Sequence, residues 1–178
     1  MKYYAVQVKT RSEEKYIALY RAMYPGRPLK LYFPKRSISL RRRGIMVQDT
    51  PPVFPGYIFI EIDSEDDILK YKREFRKIDG FYHFLKSNMN ICPLQDKDLE
   101  TALHFIKRAG PVAGKSRVYF DANSRIVVAS GPLMGLEGKI VKVNRRKGRV
   151  KIKLDLYRDS FSIDLAIEFI EPSGGKNP

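Results

Sequence analysis

The sequence holds a single cysteine, Cys92, which excludes an internal disulfide and a cysteine-built metal cage. Long apolar runs are missing as well. Stretches such as Ile126-Val127-Val128-Ala129 are a few residues long, far short of a bilayer-spanning helix. The opening residues, MKYYAVQVKTR, lack the sustained apolar segment of a secretory signal. Histidine is nearly absent. His83 and His104 are the only two, in apolar settings that packing or a helix face explains more simply than catalysis. Cys92 precedes Pro93 and shows no neighbour that would activate it as a nucleophile. Gly131, Gly135 and Gly138 are not spaced as a phosphate-binding loop, and no Lys-Ser or Lys-Thr follows them. Asp63, Glu65, Asp66 and Asp67 suggest a metal site less than they suggest the acidic start of a helix. These absences argue against an enzyme, a metal site and a cofactor. A reduced, cytoplasmic setting is the expectation.

Acidic charge is scarce relative to basic. The chain carries 34 Lys and Arg against 20 Asp and Glu, a formal net charge of +14. Up to Val112 the balance is 21 to 13, and from Ala113 onward it is 13 to 7. Both halves are therefore basic, and no single tail carries the excess. Such a field attracts polyanions, with an affinity that falls as salt rises. Nucleic acid, or a machine that handles it, is the expected partner, against the alternative of a basic protein with merely solvated charges. Hydrophobic residues make up 43% of the 178, enough for one domain or two small ones with real cores.

The pattern changes once along the chain. Tyr3–Val8 reads as a strand, and Thr10-Arg11-Ser12-Glu13 has the spacing of a capping box. A helix follows with Tyr16, Tyr20 and Met23 on one side, stopped by Pro25-Gly26. Residues 29–62 look extended, with Arg41-Arg42-Arg43-Gly44 as a hairpin tip and Ile45-Met46-Val47 as the return strand. Tyr57–Ile62 is apolar on both faces, as a central strand should be. Ser64-Glu65-Asp66-Asp67 opens a second helix whose stripe is Ile68, Tyr71, Phe75 and Ile78. Gly80–Leu85 is a short aromatic strand, and a third helix runs from about Gln95 to Arg108 with Leu99, Ala102, Leu103 and Ile106 inward. The class is α+β, with helices packed on a mainly antiparallel sheet over residues 1–109. Residues 110–117 read as a linker. Six short strand candidates across 118–172 then predict a small all-β barrel, and 173–178 a frayed tail.

The most informative stretch is 131–154, GPLMGLEGKIVKVNRRKGRVKIKL, which sets a glycine-rich turn beside two alternating strands joined by a basic knot. Val150, Ile152 and Leu154 point one way, Lys151 and Lys153 the other. Arg145, Arg146, Lys147, Arg149, Lys151 and Lys153 are accordingly the nucleic-acid candidates, suited to duplex RNA recognised by shape. The alternative is a solubilising hairpin.

Five segments in order, Tyr3–Gln7 (YYAVQ), Phe54–Phe59 (FPGYIF), Gly80–Leu85 (GFYHFL), Pro93–Leu99 (PLQDKDL) and Gly131–Val143 (GPLMGLEGKIVKV), resemble the NusG family. The first part is similar to its N-terminal (NGN) domain and the second to its KOW domain, an SH3-like barrel. The chain as a whole resembles a specialised paralogue of the RfaH and LoaP type, and residues 131–154 are similar to the LoaP-type tail. The resemblance implies a bacterial transcription elongation and antitermination factor, acting by binding. Its N-terminal domain would grip RNA polymerase. Its KOW domain would recruit structured nascent RNA, Rho or a ribosomal protein. The runner-up is a ribosomal-type KOW protein that binds RNA and has no polymerase role.

On this resemblance Phe54 and Tyr57 belong to a polymerase-facing turn, with Phe59 and Phe84 as further contacts, the last completing a shallow apolar depression. Ordinary core packing is the competing reading of all four. Lys9, Arg11 and Lys15 lie where specialised members read non-template DNA. Arg41, Arg42 and Arg43 face DNA phosphates, an acidic polymerase surface or solvent. A monomer with no membrane association is expected. The β-branched alternation at 150–154 predicts that the tail stays a barrel and does not mask the first domain as helices.

Overall fold

The computed structural model describes residues 1–63, 68–85, 89 and 91–171. Its N-terminal lobe is built on a four-stranded antiparallel sheet. The strands are β1 (Lys2–Val8), β2 (Lys30–Tyr32), β6 (Tyr57–Ile62) and β7 (Phe81–Phe84), in the order β2-β6-β1-β7. Every residue of β6 is buried, because the strand is flanked on both edges and covered on both faces. Period two divides its side chains. Ile58, Ile60 and Ile62 join Tyr4, Val6 and Val8 under helices α1 (Glu13–Met23) and α2 (Ile68–Arg76). Tyr57 and Phe59 face the other way, toward α3 (Asp96–Leu103). Each large apolar side chain so buried contributes about 1.5–3 kcal/mol.

The helices deliver most of the expected stripes. Ile68, Tyr71, Phe75 and Ile78 are all buried. In α1, Tyr16 and Tyr20 are buried, but Met23 is exposed and Ile17 takes the third inward place. The residues expected to open α2, Ser64 to Asp67, lie outside the described set. The capping box does not form. Ser12 caps α1 without a side-chain bond, and the Glu13 carboxylate instead accepts the backbone N–H of Gly56 at 2.7 Å. Helix α3 passes into a π-helical turn, His104–Arg108, which inserts a residue into the helical phase. Three consecutive residues, His104, Phe105 and Ile106, are buried as a result, and Phe105 escaped the 3.6-residue reading.

Glu61 is the one carboxylate inside this sheet with four donors upon it. Its register partners on either side are Tyr3 of β1 and Lys30 of β2. Tyr3 and Tyr32 hydroxyls donate to Oε2 at 2.7 and 2.8 Å, and Lys107 Nζ at 2.9 Å. Lys30 Nζ donates to Oε1 at 2.8 Å. Burial alone would push the carboxyl up, but these four hydrogen bonds outweigh it and hold the group well below the ordinary carboxylate range.

Between β2 and β6 the chain forms β3 (Lys35–Arg36) and a hairpin, β4 (Ile38–Arg42) and β5 (Ile45–Asp49). Arg43 and Gly44 both take positive φ, 49° and 84°, at the tip. Such a two-residue turn matches strand twist, and the Arg-Gly pair marked it in the sequence. The stretch 110–117 is not a plain linker. Within it β8 (Val112–Ala113) pairs in parallel with β3, and Ala113 is buried.

The C-terminal lobe is a curled five-stranded sheet, β10-β9-β13-β12-β11, of the small SH3-like barrel type. Its strands are β9 (Ser116–Phe120), β10 (Ile126–Ser130), β11 (Ile140–Asn144), β12 (Arg149–Leu156) and β13 (Asp159–Phe169). The last is continuous where two strands were expected. Along β12, Val150, Ile152, Leu154 and Leu156 are buried while Lys151 and Lys153 are exposed, as the alternation predicts. Gly131 has φ +99°, and a Cβ there would lie 2.6 Å from Ser116 Cα, so the backbones of two segments meet where no side chain fits.

Candidate functional site

The turn at Phe54–Tyr57 is locked from behind. Gly56 takes φ +83°, donates its N–H to Glu13 and accepts from Val8 N at 2.8 Å. A Cβ on Gly56 would sit 3.0 Å from Thr10 Oγ1. The aromatic side chains of this turn are thereby aimed at the α3 face of the sheet. Phe54 meets Phe59 and Phe105 edge-to-face, with ring centroids 5.3 and 5.8 Å apart.

The third ring against Phe54 comes from the other lobe. Phe161 of β13 packs edge-on to Phe54 at 5.7 Å and to Tyr57 at 5.9 Å. Asp159, two residues earlier, accepts the Tyr57 hydroxyl. Burial pushes that hydroxyl above the ordinary tyrosine range, and the bond to Asp159 adds to the rise. Phe54 and Tyr57 are therefore only 1% and 3% exposed. The sequence expectation of an open aromatic depression is corrected: in this arrangement the barrel covers it. The cover is a β-hairpin, so the tail is a barrel as its alternation predicts, and it covers the turn without becoming helical.

Phe59 is fully buried beside Phe54. Phe84 does not complete the cluster. It pairs with Val6 across β1 and β7 and points to the opposite face, against Phe75 and Phe81 under the helices. Sequence reading missed Phe105, Asp159 and Phe161. Phe105 was hidden by the π turn, while the other two lie about a hundred residues from their partners, with no local pattern to mark them.

Further bonds tie the lobes together. Arg36 Nε donates to the Asp164 carbonyl of the barrel at 2.8 Å, and its terminal nitrogen is held within its own lobe by the Pro52 carbonyl at 2.7 Å. Burial lowers the Arg36 guanidinium, and the nearby Asp164 and Asp49 charges oppose that. Tyr157 N–H donates to Asp98 at 2.8 Å, and His104 Nε2–H to the Pro132 carbonyl at 2.6 Å. Arg149, expected to meet RNA, is half-buried. It donates to the Ser39 carbonyl of the other lobe and lies 3.9 Å from Asp164 of its own barrel, so its Ser39 bond ties the lobes.

The remaining basic candidates are exposed. Lys9, Arg11 and Lys15 surround the β1–α1 junction, where Arg11 has φ +68°. Arg41 and Arg42 bond locally, to the Gly44 carbonyl and to Asp49, and Arg43 occupies the tip. Beside them Ile45 and Met46 are 69% and 62% exposed, an apolar component the sequence reading assigned only to a return strand. Arg145, Arg146, Lys147, Lys151 and Lys153 are all exposed on the barrel. Among the described residues, no group of three or more His, Cys, Asp or Glu side chains is placed to hold a metal ion, and no helix is long and apolar enough to cross a membrane.

Residues 1–103 match the family model described as transcription termination factor NusG, and residues 123–153 match the KOW motif. The chain is 23% identical over 154 residues to a transcription termination/antitermination protein NusG of Synechocystis, covering 82% of this chain and 74% of that protein. Its identity to the Bacillus subtilis protein of that name is 28% over 119 residues, 67% of this chain and 66% of the other. For the Thermus thermophilus protein it is 25% over 131 residues, covering 72% and 71%. The NusG match spans more than half of the chain and the KOW match follows it in the barrel, and the chain belongs to the NusG family of transcription termination and antitermination factors.

Proposed function

We propose that the chain is a transcription elongation and antitermination factor that binds RNA polymerase through residues 1–109 and recruits RNA through residues 118–172. It acts by binding, without chemistry, in the bacterial cytoplasm. The observation that carries this reading is the aromatic cluster of Phe54, Tyr57 and Phe59 at a locked turn, with Phe54 and Tyr57 covered by one hairpin of the other lobe. Interfaces between lobes of one chain resemble transient protein contacts, and a partner that binds the covered face more tightly can displace the cover. Once Phe161 and Asp159 withdraw, a rigid aromatic patch depleted in charge is left, which is the composition of a protein-binding core. Polymerase competes with the barrel for this patch. The FPGY turn supports the identity of that partner through the family it marks.

The basic residues divide by accessibility. Arg145, Arg146, Lys147, Lys151 and Lys153 are open while the lobes are docked, so RNA can bind before polymerase does. Arg149 becomes available only on parting. Lys9, Arg11, Lys15 and the Arg41–Arg43 tip then face non-template DNA or the polymerase surface. Transcription by bacterial RNA polymerase across a terminator tests the reading. Added protein is expected to raise readthrough, Phe161→Ala to raise it further by freeing the turn, and Tyr57→Ala to abolish it. If neither the natural chain nor Phe161→Ala binds polymerase at low salt, the reading is wrong.

A further inference from the structure

One edge of the barrel carries three flat groups in sequence. Phe120, the last residue of β9, stacks on Phe169, the last residue of β13, with centroids 5.5 Å apart and planes 18° from parallel. The guanidinium carbon of Arg145 lies 3.7 Å from the centre of the Phe120 ring. The contact is a close cation–π one, since such contacts extend to about 6 Å. Phe120 is half-buried, but Phe169 is 38% exposed and Arg145 is exposed. A phenylalanine stack left open to water at a strand end contributes little to the core. Among the described residues, no carboxylate pairs with Arg145. Its charge is left for a ligand, with Arg146 and Lys147 following in the same turn.

We propose that Phe169, Phe120 and Arg145 form a stacking platform for one unpaired base of an RNA whose paired stem lies along the Arg146–Lys147 turn. Both the aromatic face and the guanidinium plane accept a base, and unpaired bases in RNA are read by such stacking while stems are held by their phosphates. Charge complementarity selects a polyanion over an apolar peptide at the same edge. The inference rests on the RNA-binding reading above and narrows its ligand to a stem with a bulge or flanking unpaired nucleotide.

The test uses the full chain and two short RNA hairpins of the same stem, one fully paired and one with a single bulged aminopurine. Stacking of the fluorescent base is read as quenching, and affinity as a function of salt. The natural chain is expected to bind the bulged hairpin about tenfold more tightly and to quench it. Phe169→Ala and Arg145→Lys should each remove the preference and the quenching. Arg145→Lys keeps the charge and leaves the core untouched, so its salt dependence should persist. Equal binding of both hairpins by the natural chain, or full quenching by both variants, overturns the platform while leaving RNA binding intact. Failure to bind either hairpin at low salt overturns the platform and the RNA-binding reading together.

Discussion

Tyr57 of the sheet lobe donates its hydroxyl to Asp159 of the barrel, and 102 positions of chain separate the two. The bond joins a phenol hydroxyl, whose ionisation burial pushes up, to the Asp159 side chain. Phe161 seals its apolar side by packing against both Phe54 and Tyr57. One short hairpin segment therefore supplies the polar and the aromatic contacts that cover the turn.

Removing the acceptor should part the lobes. A hydrogen bond to a charged group contributes about 1.5–3 kcal/mol, less where water reaches it. Asp159→Ala is thus expected to enlarge the radius of gyration in small-angle scattering and to speed amide exchange at Phe54 and Tyr57. Polymerase affinity should rise by about threefold to tenfold over the natural chain. An unchanged scattering profile together with unchanged exchange would show that Asp159 is not part of the latch.

The locked turn makes a separate prediction. Gly56→Ala places a Cβ 3.0 Å from Thr10 Oγ1 at φ +83°, where any L side chain is strained. The expected loss of stability is about 1–3 kcal/mol, read from urea unfolding of the sheet lobe. Glu13→Gln keeps the shape but weakens the bond to Gly56 N–H, so it should give a smaller loss of the same sign. If Glu13→Gln is neutral, the turn is held by β1 alone.

Much of this architecture was legible because it is local. The β12 alternation placed Val150, Ile152 and Leu154 inside and Lys151 and Lys153 outside, and burial agrees residue by residue. The Arg43-Gly44 tip was marked by a glycine where positive φ is needed. What was not legible depends on register or on distance along the chain. Phe84 looks like Phe59 in sequence, but its place opposite Val6 sends it to the helical face. Glu13 has capping-box spacing, yet Gly56 outcompetes the helix terminus for its carboxylate. Arg149 belongs to the basic knot by position and to the lobe interface by contact.

Gly131 gives a test confined to the barrel. A methyl group there would come within 2.6 Å of Ser116 Cα and 2.8 Å of the Lys115 carbonyl, both backbone atoms that cannot swing aside. Gly131→Ala should displace the β9–β10 pairing and destabilise the barrel by about 3 kcal/mol or more. Amide exchange is expected to rise across residues 116–130 while β1 and β6 stay protected. A uniform rise in both lobes would mean that they unfold as one cooperative unit.

Glu61 predicts how the sheet lobe responds to acid. Its folded carboxyl is held below the ordinary value of 4.5 by Lys30, Lys107, Tyr3 and Tyr32, despite burial that would raise it. The folded chain therefore keeps Glu61 ionised at pH values where the unfolded chain has bound a proton. This difference stabilises the fold in full above about pH 4.5 and is lost as pH falls through the folded value. Glu61→Gln removes the titration and leaves a buried amide facing two ammonium groups. Near neutral pH it should cost about 2–4 kcal/mol. On acidification the natural chain should lose stability faster than the variant, so that the two converge. Lys107 should shift in concert, because its ammonium is held above the usual lysine range chiefly by its bond to Glu61. Parallel pH profiles for the natural chain and Glu61→Gln would place the acid sensitivity in some other carboxylate.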